Sequence, residues 1–291
     1  MTGLTNYSAD NLGNYITGQI AMPSLPAVFL ALMTAVGTDA GTGFTEVTGG
    51  SYARVQVAGS LTASGTWTTS STTIPLAATA PAWLLALGTN GSGVSVYDTT
   101  NGFLIGTVSS ISGTTVTLSS TAAHASSGAS DSLTFSAFGN TSGTGPATDA
   151  NTAAITFPQA TANWGTIIAW ALYDASSAGN MLVWDYMGAS NWLPCTISAA
   201  SPGTITAKAH GYANGDSFVF SNEYGGTAPT FSAGNYTGLQ TVAGSATDSF
   251  NVTGVNTSAT GSGMVRKVLQ QPISVNVTAS FAASTFTLSY A

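Results

Sequence analysis

Apolar and polar residues alternate with a period of two over much of the chain, which is the pattern of β-strands with one buried face. In residues 51–57, Tyr52, Arg54 and Gln56 fall on one face, while small and aliphatic residues fall on the other. The stretch 27–35 is almost continuously apolar, which is typical of a strand that is buried on both faces. The pattern therefore predicts a mainly β protein with a sandwich-like parent domain.

Residues 8–20 are the exception, because their apolar residues recur every three or four positions and predict the one short helix of the chain. The residues on its apolar face are Leu12, Tyr15, Ile16 and Ile20. Ser8 is expected to cap its N-terminus, and Pro23 and Pro26 are expected to stop it. The two glycines in this stretch weaken the helix by about 1 kcal/mol each relative to alanine, so packing must hold it.

Two parts of the chain consist of short predicted strands between turn residues. The first is residues 60–138, where the dipeptides Asn90-Gly91 and Asn101-Gly102 tolerate the positive φ of tight turns. Its predicted strands are residues 94–97, 103–108, 115–118 and 132–135. The second part is residues 194–267, where Gly or Asn bounds each short strand. Each part is predicted to form a small inserted β module.

The remaining stretches keep longer strands and are predicted to form one discontinuous parent domain: residues 1–59, 139–193 and 268–291. Within it, residues 139–150 are rich in Gly, Ser, Thr and Pro and are predicted to be a linker. Residues 273–277 and 284–290 alternate cleanly, and a C-terminal hairpin is predicted from them. Insertions are best tolerated at exposed loop tips, so both modules are expected to project outward.

Charged residues make up only 5% of the chain, against about 25% in ordinary soluble domains. Neutral polar and small residues must then cover the surface, which suits a protein that packs against neighbours in an assembly. With four basic residues and a net charge of -7, the chain lacks the cluster of Lys and Arg that nucleic-acid phosphates require, and no nucleic-acid partner is expected. The adjacent Arg266 and Lys267 are predicted to be a solvated pair on opposite faces of a strand.

The single cysteine, Cys195, cannot form an internal disulfide and is predicted to be a small buried or half-buried side chain. No Cys or His pair has the spacing of a metal site, so neither a metal nor another cofactor is expected. The N-terminus lacks the features of a secretory signal, and no apolar stretch approaches the roughly 20 residues of a membrane span. Exposure outside a cell would then depend on lysis or particle assembly.

Enzymes that cut glycans use two acids on either side of a sugar bond, and the candidates here are Asp174, Asp185 and Glu223. Asp174 opens a turn, where an Asp is expected to bond to nearby backbone instead. His210 and His124 have no fixed Ser or Cys partner, and both are expected to be turn or surface histidines. No catalytic residue is predicted.

Aromatic residues concentrate around a predicted hairpin, formed by residues 165–173 and 181–187 with a turn at 174–180. On alternating strands some rings must face the core and others outward, where Trp and Tyr commonly form protein interfaces or stack on sugars. Core packing, subunit contact and glycan binding are therefore all open for them. The candidate interface residues are Trp170, Trp184, Tyr186 and Trp192.

Several stretches, in this order, resemble small structural proteins of tailed bacteriophages that are described as tail-fibre or virion proteins. These stretches are the early helix with residues 26–35, residues 41–54, residues 155–165, residues 171–175 and residues 179–182. The resemblance implies a structural role in the virion, with other virion proteins and copies of the chain itself as partners. Virion proteins act in symmetric copies, so oligomerisation is expected, with a trimer as the working assumption.

The second module resembles another small β domain of phage virion proteins, which is distantly similar to a domain of ubiquitin-activating enzymes. Its markers are residues 209–216, 235–242 and 248–252. The resemblance implies a compact spacer or surface domain without ubiquitin chemistry. Residues 60–138 carry no comparable resemblance.

These observations favour a non-enzymatic structural component of a tailed-phage virion, either a fibre or a capsid decoration protein. Such a protein would assemble in the host cytoplasm and lie exposed on the particle. Recognition of a host-surface glycan or protein by the projecting modules is the alternative. A polysaccharide depolymerase is a third hypothesis, which needs two acids in one cleft.

Overall fold

A computed structural model describes residues 3–21, 27–139, 147–188, 191–223 and 225–290. The chain forms two compact units, of which the first consists of Met1–Asp185 together with Pro272–Ala291 and the second of Tyr186–Gln271. The first unit is therefore discontinuous, because the chain leaves it once and returns to it near the C-terminus.

The first part of the chain contributes two helices and nine strands. They are β1 (Gly3–Leu4), α1 (Asn6–Ile16), β2 (Ala27–Ala35), β3 (Thr45–Glu46), β4 (Val55–Thr62), β5 (Thr73–Pro75), α2 (Ala82–Leu85), β6 (Ser95–Asp98), β7 (Phe103–Ser112), β8 (Thr115–Leu118) and β9 (Ser132–Ser136).

The middle and last parts contribute only strands among the described residues. They are β10 (Ala147–Ala150), β11 (Ile155–Gln159), β12 (Gly165–Ile167), β13 (Ala169–Tyr173), β14 (Met181–Tyr186), β15 (Leu193–Ile197), β16 (Thr204–Thr206), β17 (Ser217–Ser221), β18 (Thr230–Ala233), β19 (Gln240–Thr241), β20 (Ser249–Asn251), β21 (Asn256–Ala259), β22 (Gly261–Val268), β23 (Gln271–Ile273), β24 (Thr278–Phe281) and β25 (Thr287–Tyr290).

One large antiparallel sheet organises the first unit, with the strand order β1-β14-β13-β2-β4-β9-β6-β7-β8-β5 and β3 beside β2. The apolar run 27–35 forms β2, which lies between β13 and β4, and its central residues Leu30 and Met33 have no exposed surface. A strand with neighbours on both sides and covered faces needs apolar residues at nearly every position. The prediction for this stretch is confirmed.

The far end of this sheet curls into a closed barrel of six strands, β4, β9, β6, β7, β8 and β5. The ring closes where Ala63, next to β4, bridges Leu76, next to β5, and the N–H of Ala77 donates to the Thr62 carbonyl at 2.9 Å. Its interior is filled by fully buried side chains that include Ile74, Leu133 and Phe135. Closure pairs backbone groups that would otherwise form open sheet edges.

Three two-stranded ribbons supplement the large sheet: β10 with β25, β11 with β24, and β12 with β23. Aromatic contacts connect two of these ribbons to the rest of the first unit. Trp170 on β13 meets Phe286, just before β25, edge to face at 4.4 Å, and Tyr52 stacks on Phe157 of β11 at 6.1 Å. The fold is mainly β and antiparallel with sandwich-like layers and a short N-terminal helix, as predicted.

The second unit is also built around a ring of strands, in the order β19-β17-β22-β15-β16-β20. It closes where Ala243, just after β19, exchanges two backbone hydrogen bonds of 2.8 Å with Asn251 on β20. Its core is self-contained and includes the fully buried rings of Phe218 and Phe250. Cys195 lies in this core, as predicted, and burial raises the pKa of its thiol to about 12.

The cap of the helix lies three residues earlier than predicted. Thr5 caps it, because the Thr5 hydroxyl accepts the N–H of Ser8 at 3.4 Å, and the helix ends at Ile16 since Gly18 adopts a left-handed φ of 75°. Pro23 and Pro26, the predicted stop, lie outside the described residues. No helix in the described part of the chain has the length and apolar character needed to cross a membrane.

Two predictions of local structure are wrong. Residues 273–277 and 284–290 do not form a hairpin with each other, because residues 274–277 are the loop between β23 and β24, and β25 pairs with β10. Residues 147–150 of the predicted linker are strand β10, while residues 140–146 lie outside the described residues. In both cases the partner strand comes from a distant part of the chain, which a local pattern cannot reveal.

Candidate functional site

The three predicted acids have different surroundings. Asp174 lies in the loop between β13 and β14, where its carboxylate accepts the N–H of Asn180 at 2.7 Å and its side-chain amide at 2.8 Å, so it holds the turn as expected. Asp185 is half-buried at the end of β14, and Glu223 is exposed in the second compact unit.

The two histidines differ from each other. His124 is exposed and stacks on Phe103 with 4.3 Å between ring centroids, which confirms a surface histidine. His210 follows a turn but is only 6% exposed, so it is not a surface residue. Its Nδ1 accepts the N–H of Tyr212 at 2.9 Å, and its ring meets Phe250 edge to face at 5.0 Å. His210 is therefore part of the aromatic core of the second unit.

Sequence reasoning missed the pair of acids that the structure does bring together, Asp98 and Asp131 on the first barrel. The amide of Asn101 donates to Asp98 at 2.6 Å and to Asp131 at 3.3 Å. Asp98 also accepts the N–H groups of Thr100 and Asn101, and Asp131 accepts the N–H and hydroxyl of Ser127. The Asp at residue 98 followed by Asn101-Gly102 is a turn signature that could have indicated the first half of this network.

Hydrogen bonding decides the charge state of Asp131. Burial by itself would raise its pKa, but the donors on Ser127, Gly128 and Asn101 outweigh that effect and lower the pKa. Asp131 is therefore a charged acceptor that fixes loops, whereas a general acid must hold a proton. Within the described ranges, no group of three or more His, Cys, Asp or Glu side chains is arranged to hold a metal ion.

Two of the four candidate interface aromatics belong to the hairpin of the first unit. Trp170 is 4% exposed and packs on Phe286, which favours the core alternative for this residue. Trp184 is half-buried; its indole N–H donates to Asp39 at 3.0 Å and its ring meets Phe44 edge to face at 5.0 Å. Both contacts orient Trp184 within its own chain.

The other two candidates, Tyr186 and Trp192, are half-buried in the second unit. The guanidinium of Arg266 lies over the Trp192 ring at 5.8 Å and is 4% exposed, and Lys267 pairs with Asp216 at 2.5 Å. The prediction that Arg266 and Lys267 form a solvated pair is therefore wrong, although they do point in different directions. The role of the four aromatics in subunit contact stays a prediction.

The first unit contains a polar cluster around Arg54, called here the Arg54 cluster, which consists of Glu46, Tyr52, Arg54 and Tyr173. Arg54 donates to both carboxylate oxygens of Glu46, at 2.9 and 2.7 Å, and its guanidinium lies over the Tyr173 ring at 3.5 Å. Tyr52 donates its hydroxyl to Glu46 at 3.0 Å and accepts the N–H of Leu32 at 2.9 Å. The Arg54 side chain is only 7% exposed.

Arg54 also fixes the hairpin loop between β13 and β14. It donates to the carbonyls of Ala175 and Ala178, both at 2.8 Å. Burial by itself would lower the pKa of Arg54, but its bonds to Glu46 and the charge of that carboxylate outweigh this effect and raise the pKa. The cluster is therefore a charged clamp that is fully engaged within the chain.

Several of the stretches that carried the sequence resemblance meet at this cluster. Residues 41–54 supply Glu46, Tyr52 and Arg54, and the hairpin stretches supply Tyr173 and the loop that Arg54 holds. Residues 155–165 supply Phe157 and Trp164, which contact the Tyr52 ring with centroids at 6.1 and 5.3 Å. These motif residues therefore serve packing and clamping within the first unit.

A groove of about 430 Å³ lies beside the cluster, and Arg54 and Phe157 are among the residues that line it. The half-buried indole of Trp83, on α2, forms one wall, and Gln56 and Thr156 provide neutral polar groups. Trp83 sits so close to the backbone that a Cβ on Gly59 would lie 2.9 Å from its ring. The groove contains no pair of acids, and sequence reasoning did not single out Trp83.

We expect the change Arg54→Met to lower the free energy of unfolding by about 3 kcal/mol, because it leaves the Glu46 carboxylate poorly solvated and without its cation. Urea denaturation measures the loss. A double variant with Glu46→Gln should recover part of it, which a double-mutant cycle quantifies as a coupling energy.

The matched control for the Arg54 variant is Lys208→Met, which removes an exposed cation and should change the stability by less than about 0.5 kcal/mol. A loss for Arg54→Met that is no larger than this control would show that the cluster does not hold the first unit together.

A comparison with known protein families supports the resemblance that the motif stretches indicated. Residues 3–102 and 77–194 match the family described as Podophage GP4 fiber I protein gp80, and these overlapping matches span more than half of the chain and contain the whole Arg54 cluster. No curated protein sequence matches the chain significantly. The resemblance to phage tail-fibre and virion proteins is confirmed. The chain therefore belongs to the family of the podophage fiber I protein gp80, and it is a virion-associated phage fibre protein.

Proposed function

We propose that this protein is a non-enzymatic structural component of a tailed-phage virion, exposed on the particle as a fibre or decoration protein and acting through protein–protein contacts. The observation that carries the proposal is that several motif stretches, all within the residues that match the family, converge on the Arg54 cluster and build a packed unit. Its partners are other virion proteins and copies of the chain itself, with the trimer as the working assumption for their number.

The placement of the titratable residues supports a non-enzymatic role. Asp98 and Asp131 are held as acceptors for turns, Asp174 caps a loop, and His210 lies in a core. An enzyme that cuts glycans needs one acid that can hold a proton and a second acid across an open cleft. Neither the groove beside the Arg54 cluster nor an apolar groove that Val28 and Leu172 line contains such a pair of acids.

The distribution of the basic residues supports a role in protein–protein contacts. All four basic residues lie in the described part of the chain, and only Lys208 is exposed, because Arg54, Arg266 and Lys267 are engaged with Glu46, Trp192 and Asp216. A surface with so little positive charge does not attract polyanions. It does allow close approach of a neutral neighbour without desolvation of charges.

We expect the protein to be found in particles of the phage that encodes it. Mass spectrometry of gradient-purified virions should detect the chain, and labelling with antibodies against residues 60–138 and 194–267 in electron micrographs should place it on the head or the tail. A phage lysate before purification is the positive control. Absence of the protein from purified, infectious particles would refute a structural role.

We further propose the three-part organisation, with modules at residues 60–138 and 194–267 inserted into the parent domain. Both predicted inserts begin and end on adjacent backbone: Ala137 donates to the Val57 carbonyl at 2.7 Å, and Leu269 donates to the Met187 carbonyl at 2.9 Å. The family match also ends at residue 194, where the second insert is predicted to begin. The proposed boundary at residue 59 falls inside β4, which the large sheet and the first barrel share.

Replacement of residues 194–267 by a short Gly-Ser linker should leave the remainder folded, because the second unit has its own core and its entry and exit strands are adjacent. Circular dichroism and resistance to protease measure the outcome, with the intact chain as the reference. An unfolded deletion variant would rule out an inserted module that folds independently of the parent.

Recognition of a neutral glycan on the host surface is the second candidate function, and the Trp83 groove favours it. An indole face beside amide and hydroxyl groups is the surface chemistry that neutral sugars prefer. An anionic capsule polysaccharide is disfavoured by the net charge of -7.

If the groove binds glycans, the change Trp83→Ala should weaken binding to a host-surface polysaccharide by about fivefold, since a stacked ring contributes on the order of 1 kcal/mol. Isothermal titration with the intact protein measures this effect. Phe103→Ala, which removes an exposed ring elsewhere, is the control. Absence of binding by the unaltered protein would exclude this function for the groove.

A further inference from the structure

The chain contains three Asn-Gly dipeptides, which are Asn90-Gly91, Asn101-Gly102 and Asn214-Gly215. An Asn followed by Gly is prone to deamidation, because glycine has no side chain to hinder its own backbone nitrogen. That nitrogen loses its proton and bonds to the side-chain carbonyl carbon of the Asn, while the bond from this carbon to the amide nitrogen breaks and ammonia leaves. Water then opens the succinimide ring, so the net change is the replacement of an amide by a carboxylate.

The fold engages the attacking nitrogen of all three dipeptides. Each glycine N–H donates to a backbone carbonyl: Gly91 to Leu87 at 3.0 Å, Gly102 to Asp98 at 2.8 Å, and Gly215 to Val242 at 2.9 Å. A nitrogen in such a bond must first lose it and then approach the Asn side chain. Deamidation of the folded chain therefore requires local opening of the turn, whereas the unfolded chain has no such barrier.

Asn101 differs from Asn214 in the role of its side chain. The Asn101 amide donates to Asp98 and to Asp131, which are 1% and 3% exposed. Deamidation would replace this donor by a third carboxylate, and three ionised acids that face each other have only acceptors and repel. Asn214 instead accepts the N–H of Ser245 with its side-chain oxygen at 2.8 Å, which an aspartate can also do. Conversion therefore breaks a network at residue 101 and preserves the contact at residue 214.

The turn between β6 and β7 and the amide bridge of Asn101 stabilise each other. Asp98 takes part in both, since its carbonyl accepts the Gly102 N–H and its carboxylate accepts the Asn101 amide. The Gly102 carbonyl is also held, because it accepts the Tyr97 hydroxyl at 2.7 Å. Asp131 directly precedes β9, so the bridge ties this turn to the start of that strand. Loss of the amide would thus loosen the same turn that restrains the Gly102 nitrogen.

We propose that Asn101 is a deamidation site whose conversion to aspartate opens the loops of the first barrel, and that the folded turn slows this conversion. The chain supplies the nucleophile, the Gly102 nitrogen, and water is the only other reactant. The proposal concerns the chemistry of the chain itself and goes beyond the proposed structural function. A subunit of a finished particle is not replaced, so a conversion that accumulates with time limits how long the first barrel keeps its loops in place.

The rate of conversion is tested by peptide mass mapping of the intact protein during prolonged incubation, with the same protein in urea as the reference. The folded chain should convert at Asn101 about tenfold more slowly than the unfolded chain, or slower still. The change Tyr97→Phe removes the bond to the Gly102 carbonyl and should speed conversion at Asn101 about threefold, while the rate at Asn214 stays the same. Equal rates in the folded and unfolded chain, or no response to Tyr97→Phe, would overturn the protective role of the turn.

The consequence of conversion is tested with Asn101→Asp, which introduces the product directly, and with Asn214→Asp as the matched control. Asn101→Asp should raise the unfolding equilibrium constant in urea by about tenfold or more and speed hydrogen exchange in residues 95–136, whereas the control should change neither.

The double change Asp98→Asn with Asn101→Asp exchanges donor and acceptor, so it should recover part of the loss that Asn101→Asp causes. This double variant also decides the matter if Asn101→Asp alone does not fold, since recovery supports the proposal and its absence overturns it. An Asn101→Asp variant as stable as the Asn214→Asp control would overturn it as well.

Discussion

The scarcity of charge is the constraint on which the rest of this structure depends. With 5% charged residues, the chain cannot protect sheet edges with rows of Lys or Glu, which is a common defence against edge-to-edge aggregation. Both compact units instead contain a ring of strands, closed by backbone bridges at Ala63 with Leu76 and at Ala243 with Asn251. Closure satisfies backbone donors and acceptors internally, so neutral hydroxyl-rich strands can lie at the surface without inviting uncontrolled pairing.

The few charges that are present act mostly inside the units. Arg54 joins Glu46, a stacked tyrosine and two loop carbonyls, and Asp131 gathers donors from two loops of the first barrel. Such groups are charged because hydrogen bonds outweigh the effect of burial on their pKa values. Their role is to fix loops that join strands distant in sequence. This leaves an outer surface that is nearly without cations and suits contact with neutral neighbours.

Membership of a podophage fibre family fits this physical picture, because a fibre protein works by holding its shape and touching other subunits. Several of the motif stretches that carry the resemblance supply side chains to one packed cluster. They meet around Tyr52 and Arg54, where each supplies a ring or a hydrogen bond to the same packed cluster. By contrast, the large apolar side chains of α1 remain outside any core of the described chain.

The sequence by itself determined the mainly β class, the N-terminal helix, the buried strand β2 and most short strands of the first module, because side-chain period and turn dipeptides act locally. Tertiary structure alone decided which strands pair. Of the alternating C-terminal stretches, residues 274–277 therefore became a loop and residues 287–290 became β25, whose partner β10 comes from a predicted linker. It also decided that Arg266 is buried over Trp192, that Asp98 lies near Asp131, and that Trp170 is in the core. Alternation gives two faces to every strand, but only the packing of distant segments decides which face meets the core and which meets a partner.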